Sequence, residues 1–220
     1  LAEANIGDDP SYAGLSQTEK ISRGILEQVV AFKEAGISLD GETTNDMAGI
    51  LGGVLAKQPV TPKTVDTALI QSVPETVASM SAYANALGEI LGGESTPETN
   101  ELLVLAQFGQ TGDASTVDAL VSVVATYADI IDGLTETVVP VTLENQHIEL
   151  INAFINTQQS IALLANLSTD PIAGLQGLQA YSTYSNQVAT TFESIREYLR
   201  ARITLGTDAP GYIVLEEPTQ

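Results

Sequence analysis

The chain has no cysteine and no tryptophan, one histidine, and only eight lysines and arginines in 220 residues. Without cysteine there is no disulfide framework, no thiolate metal site and no cysteine nucleophile. With His147 as the sole imidazole, any serine triad would have to use that residue as its base. The cations sit near the two ends, and none lies between Thr64 and Ile195. Twenty-eight aspartates and glutamates then leave a formal charge of −20. Proteins bind duplexes by replacing phosphate counterions with Lys and Arg, so no nucleic-acid partner is expected. An anionic membrane surface is disfavoured for the same reason.

What is present is aliphatic. Hydrophobic residues make up 44% of the chain and aromatics 5%, enough to bury a sizeable core without disorder. Two charge-free runs, 150–169 and 171–192, are long enough to cross a bilayer. The first carries Asn152, Asn156, Gln158 and Gln159, and the second is rich in Gln, Ser, Thr and Asn. Hydrocarbon would leave those groups unsatisfied, so no membrane span is expected. The chain begins with leucine. Removal of an export signal explains that start, and an extracytoplasmic location, extracellular or at the cell surface, is the expectation.

Apolar spacing is helical over most of the length. The lead-in 1–14 is broken by Gly7, Pro10 and Gly14. A helix over 16–35 opens on a Ser16–Glu19 capping box, stops at Gly36 and aligns Ile21, Ile25, Val29 and Phe32. A short helix follows from Met47 to Lys57, then a linker with Pro59 and Pro62. Segment 64–91 is interrupted by Pro74, with a kink or break expected near Ser72. Pro97 opens a helix to about Phe108, and another spans 115–138. Pro140 ends that helix and Thr142 is placed as the cap of the next. Asp170-Pro171 starts the last, whose inward stripe is read as Leu175, Leu178, Val188, Phe192, Ile195, Leu199 and Ile203. Tyr212 to Leu215 is the one β-capable run of the tail. The tripeptide Thr-Val-Asp occurs at 64–66 and at 116–118, an echo that composition explains.

The expected fold is therefore all-α: a bundle of about six to eight helices with extended N- and C-terminal tails. Its parts are residues 1–14, an extended segment; 15–93, an N-terminal helical part; 94–205, a C-terminal helical part of the same bundle; and 206–220, a tail.

Chemistry is sparse. Glu144-x-x-His147 has the spacing of a di-iron carboxylate helix, but the second Glu-x-x-His that such a site needs is missing. His147 is read instead as a first-turn residue beside the apolar stripe Ile151, Phe154, Ile161. Asp118, Asp129, Asp132 and Glu136 fall on one helix face, the pattern of a solvated surface. Asp40, Glu42, Asn45 and Asp46 lack the alternation of an EF-hand loop. No phosphate loop or nucleophile elbow occurs. No catalytic residue, metal ligand or cofactor is expected. The candidate interface residues are Asn152, Asn156, Gln159, Tyr181, Tyr184, Tyr212, Ile213 and Val214, because neutral polar groups desolvate at lower cost than charges. A strand-like 212–215 would add to a partner's sheet edge.

His147, Leu150, Ile151 and Asn152, then Asp170, Pro171, Gly174 and Leu175, then Pro210 and Gly211, form a spaced series. Over residues 95–215 this series resembles a group of uncharacterised exported all-helical proteins of candidate-phyla-radiation bacteria. The resemblance implies an exported helical protein at the cell surface, with His147 marking a helix start. The resulting expectation is a non-catalytic subunit that forms homo-oligomers or surface assemblies, filaments or lattices through its termini. The alternatives are a monomeric binding module for a small ligand or protein partner and a carboxylate-based hydrolase.

Overall fold

The computed structural model describes residues 13–16, 18–20, 22–23, 60–92, 101–111 and 113–216, apart from the side chains at 102, 105 and 109. Residues 18–20 and 22–23 are helical. The Ser16 amide donates to Glu19 and the Glu19 amide to Ser16 Oγ, so the capping box forms as read. The Ile21–Phe32 stripe, the 47–57 helix, the 40–46 loop and Pro97 lie outside the described residues.

Pro74 breaks segment 64–91, and only its second half is α-helical. A 3-10 turn, Thr67–Leu69, is followed by strand β1, Ser72–Val73, and by helix α1, Val77–Gly92. Thr76 and Ser79 cap α1 reciprocally, each backbone N–H donating to the other's hydroxyl. Helix α2, Glu101–Thr111, extends one turn past Phe108. Helix α3, Ser115–Glu136, leads into strand β2, Val139–Pro140, which pairs in parallel with β1. A 3-10 turn, Val141–Leu143, then enters helix α4, Glu144–Ala165. Thr142 does not cap it: its hydroxyl is hydrogen-bonded to the Glu75 carboxylate. Helix α5, Pro171–Arg200, starts as expected, with Asp170 Oδ1 accepting from the Ala173 amide. Among the described residues the structure is thus all-α apart from a two-residue bridge.

Helix α4 is the axis of the bundle, packed most extensively against α5 and then α3. One end of the core joins Tyr83, Leu87, Leu134, Leu150, Ile151, Ile195 and Leu199. The other joins Val104, Val117, Leu120, Val123, Ile161 and Leu164, and Tyr127 touches both. The inward stripe of α5 departs from the sequence reading in its first half. Leu175 and Leu178 are 52% and 43% exposed, and Ala173, Gly174 and Gly177 face inward instead. The reason is the close approach of α4. A Cβ on Gly177 would stand 2.7 Å from the Ser160 carbonyl oxygen and 2.8 Å from Leu163 Cβ. Leucine has no room in that seam.

The tail reading is also corrected. Tyr212–Leu215 is one helical turn, α6, not a strand. Gly211 packs against the α1 backbone at Ala84 and donates its N–H to Asn85 Oδ1 at 3.0 Å. That anchor turns the chain so that Val214 is buried and Ile213 is exposed. A strand would have pointed these neighbours to opposite faces but would also have needed a partner edge. Here the backbone is closed on itself, with Val214 N–H donating to Gly211 and Glu216 N–H to Tyr212.

Candidate functional site

The first-turn position of His147 on α4 puts it under the C-terminal end of α3, inside the core with no exposed surface. Its Nε2 lies 2.9 Å from the Leu134 carbonyl oxygen, and its Nδ1 lies 2.9 Å from the Tyr83 hydroxyl. A carbonyl only accepts, so Nε2 carries the proton; Nδ1 is then the acceptor and Tyr83 the donor. The rings meet edge-on, with centroids 5.5 Å apart. Leu134 belongs to the last turn of α3, and its carbonyl already accepts the Thr137 N–H at 3.1 Å, the bond that closes that helix end. His147 adds a second donor to that carbonyl and so ties the start of α4 to the end of α3.

Burial sets the charge state. Desolvation pulls the His147 pKa below its ordinary value, outweighing the opposing bond to the Leu134 carbonyl, and pushes the Tyr83 phenol up. A neutral imidazole with both nitrogens engaged serves neither as a ligand nor as a base until those bonds break. Among the described residues no cluster of His, Asp and Glu could hold a metal ion.

A second buried polar group joins α2, α3 and α5. Glu101, 8% exposed at the start of α2, accepts from the Tyr127 hydroxyl. Desolvation first, and the Glu101 charge second, push the Tyr127 and Tyr181 phenols above their ordinary range. Sequence reading missed this group because Glu101 looks like an ordinary first-turn acid. Asp118, Asp129, Asp132 and Glu136 are all exposed and form a solvated helix face.

The candidate interface residues separate. Asn156 is 3% exposed and Asn152 half-buried, both covered by residues 63–65 of the same chain. Gln159 is half-buried beside them. Tyr181, Tyr184 and Tyr212 are half-buried, Ile213 is open and Val214 is buried. The region 150–192 is thus not one surface: α4 is central, and the open neutral face belongs to α5. That face carries Gln179, Ser182, Thr183, Asn186, Gln187 and Thr190, with Leu175 and Leu178 at its start.

No described helix is long and apolar enough to cross a membrane. No family model, no curated protein and no solved structure matches the chain.

Proposed function

We propose that this chain is a non-catalytic, extracytoplasmic helical bundle that serves as a structural or assembly subunit at the cell surface. The observation that carries this reading is the outer face of α5. In a chain with a formal charge of −20, residues 171–192 hold no charge at all. Much of that run is solvent-exposed, with two open leucines. Repulsion between acidic copies is smallest where such faces meet, and amides and hydroxyls give up water at lower cost than carboxylates. The imidazole, which in a hydrolase would be the natural base, is built into the core. Location rests on the resemblance to exported proteins.

The test is association of the purified protein. Light scattering and negative-stain electron microscopy at rising concentration are expected to show oligomers or ordered assemblies. Asn186→Glu with Leu178→Glu, which charge the α5 face, should return the sample to monomer while circular dichroism stays unchanged. A strictly monomeric wild type at high concentration overturns the proposal.

A further inference from the structure

Asn152, Asn156 and Gln159 fall on one stripe of α4, and the chain's own segment 60–65 runs along it. Asn156 Oδ1 accepts the Lys63 N–H at 2.7 Å, and its Nδ2 returns a bond to the Lys63 carbonyl at 2.8 Å. Asn152 Oδ1 accepts the Val65 N–H at 2.8 Å. Two residues of extended chain advance about 6.6 Å, and four residues of helix about 6.0 Å. Positions 63 and 65 therefore match 156 and 152 in register, with the segment antiparallel to α4. The Asn156 amide is itself oriented by a bond from Nδ2 to the Asn152 carbonyl at 2.7 Å.

The row reads backbone and ignores side chains. Thr61, Pro62, Lys63 and Thr64 are all exposed, and only the flanking Val60 and Val65 are half-buried. One further rung is open. Gln159 lies three residues beyond Asn156, toward the side of the row to which segment 60–62 runs, and its Oε1 is buried with no hydrogen-bond partner. Buried acceptors without a donor are rare in folded proteins. The segment is followed by the exposed 3-10 turn Thr67–Leu69, a natural hinge.

We propose that this amide row is a seat for an extended peptide backbone, and that segment 60–65 exchanges between copies of the chain. One copy's residues 60–65 then lie on the α4 row of a second copy. An identical copy is the occupant the seat fits, because it reproduces each bond in the same register without new surface. The hold in cis is also slight beside the core, three neutral hydrogen bonds and two half-buried valines, so release requires only local opening. A segment freed from its own hinge geometry can bring the Thr61 N–H to Gln159 as a third rung. This inference rests on the assembly reading and specifies how copies are linked.

The absence of cysteine makes the test direct. Lys63→Cys and Asn156→Cys, prepared as separate full-length variants, are mixed at an assembling concentration and oxidised. A disulfide-linked heterodimer is expected at several-fold higher yield than from Lys63→Cys mixed with Ser182→Cys, an exposed control position. Thr61→Cys with Gln159→Cys is a second pair that leaves both clasp asparagines in place. Heterodimer no more abundant than in the control, for both pairs, overturns exchange. If light scattering still shows oligomers in that case, the assembly reading survives and only the exchange fails. If the protein does not associate, both fail.

Discussion

The two halves of α5 are packed by opposite means. From Thr191 onward, Ile195 and Leu199 fill the core at no exposure, while Glu193 pairs with the largely buried Arg196 side chain. Arg202, just beyond, lies 3.6 Å over the Tyr198 ring, and the Tyr198 hydroxyl donates to Glu75 at 2.9 Å. In the first half the inward residues are Ala173, Gly174 and Gly177, and the leucines face out. One half is held by burying large side chains, the other by bringing two backbones together. A helix with little side chain to bury on its inner face has apolar surface to spare on its outer one. If the proposed assembly uses the open α5 face, stability and association fall to different ends of one helix.

Breaking that contrast at its strongest point uses two leucines. Leu199→Ala should lower the unfolding free energy by about 2–5 kcal/mol, and Leu178→Ala by no more than about 0.5 kcal/mol, both read by urea denaturation. Equal losses would erase the distinction. Gly177→Ala should cost about 1–3 kcal/mol by overpacking the seam; a neutral result would mean that α4 and α5 part freely. Tyr83→Phe leaves His147 Nδ1 without its donor, an expected loss of about 1–3 kcal/mol, with circular dichroism unchanged. Asp170→Ala should cost about 1 kcal/mol through the lost helix cap, measured in the same way. Asp170 also receives both the amide and the hydroxyl of Thr18, so added loss beyond the cap would report that link.

The smallest effect is pH-dependent and belongs to the large-side-chain half. The His147 pKa is lowered by folding, so its neutral form is the native one. Its contribution is present above the ordinary value of 6.5 and is lost progressively as pH falls below it. The Glu75 pKa is lowered by bonds from Thr142 and Tyr198. That contribution is present above 4.5 and fades as pH falls through the lower folded value. Acid also relieves the repulsion of a −20 chain, so wild type must be compared with His147→Gln and Glu75→Gln. The stability difference from each variant should shrink in its own window.

Helix punctuation was the legible part of the sequence. Ser16–Glu19, Pro74, Pro140 and Asp170-Pro171 act through local chemistry, and each marks a boundary in the structure. What could not be read was the direction each helix faces in a seam where glycine replaces bulk. Apolar periodicity assumes that the larger side chains go inside, and at Leu175 and Leu178 the approach of α4 reverses that. Thr-Val-Asp makes the same point: it leads into a 3-10 turn at 64–66 and lies within α3 at 116–118. The polar groups were legible only by elimination. His147 was read as a packing residue because its metal partners were missing, but its bond to Leu134, 13 residues earlier, depends on how α3 turns into α4. Asn152 and Asn156 drew notice as uncharged positions, and only the fold reveals that a backbone lies across them.

The seam between α1 and α6 has a consequence for the order of events in folding. Helices α3, α4 and α5 follow one another in the chain, and each packs on its neighbour, so their contacts form with little loop-closure entropy. Gly88 and Gly211, by contrast, come into backbone contact across more than half the chain. A Cβ at Gly88 would fall 2.1 Å from the Pro210 carbonyl oxygen, so that closure tolerates no approximate docking. From this topology the three-helix hairpin is expected to form first and the α1–α6 seam late. Gly88→Ala should leave the refolding rate nearly unchanged and speed unfolding, the kinetic signature of a contact made after the barrier.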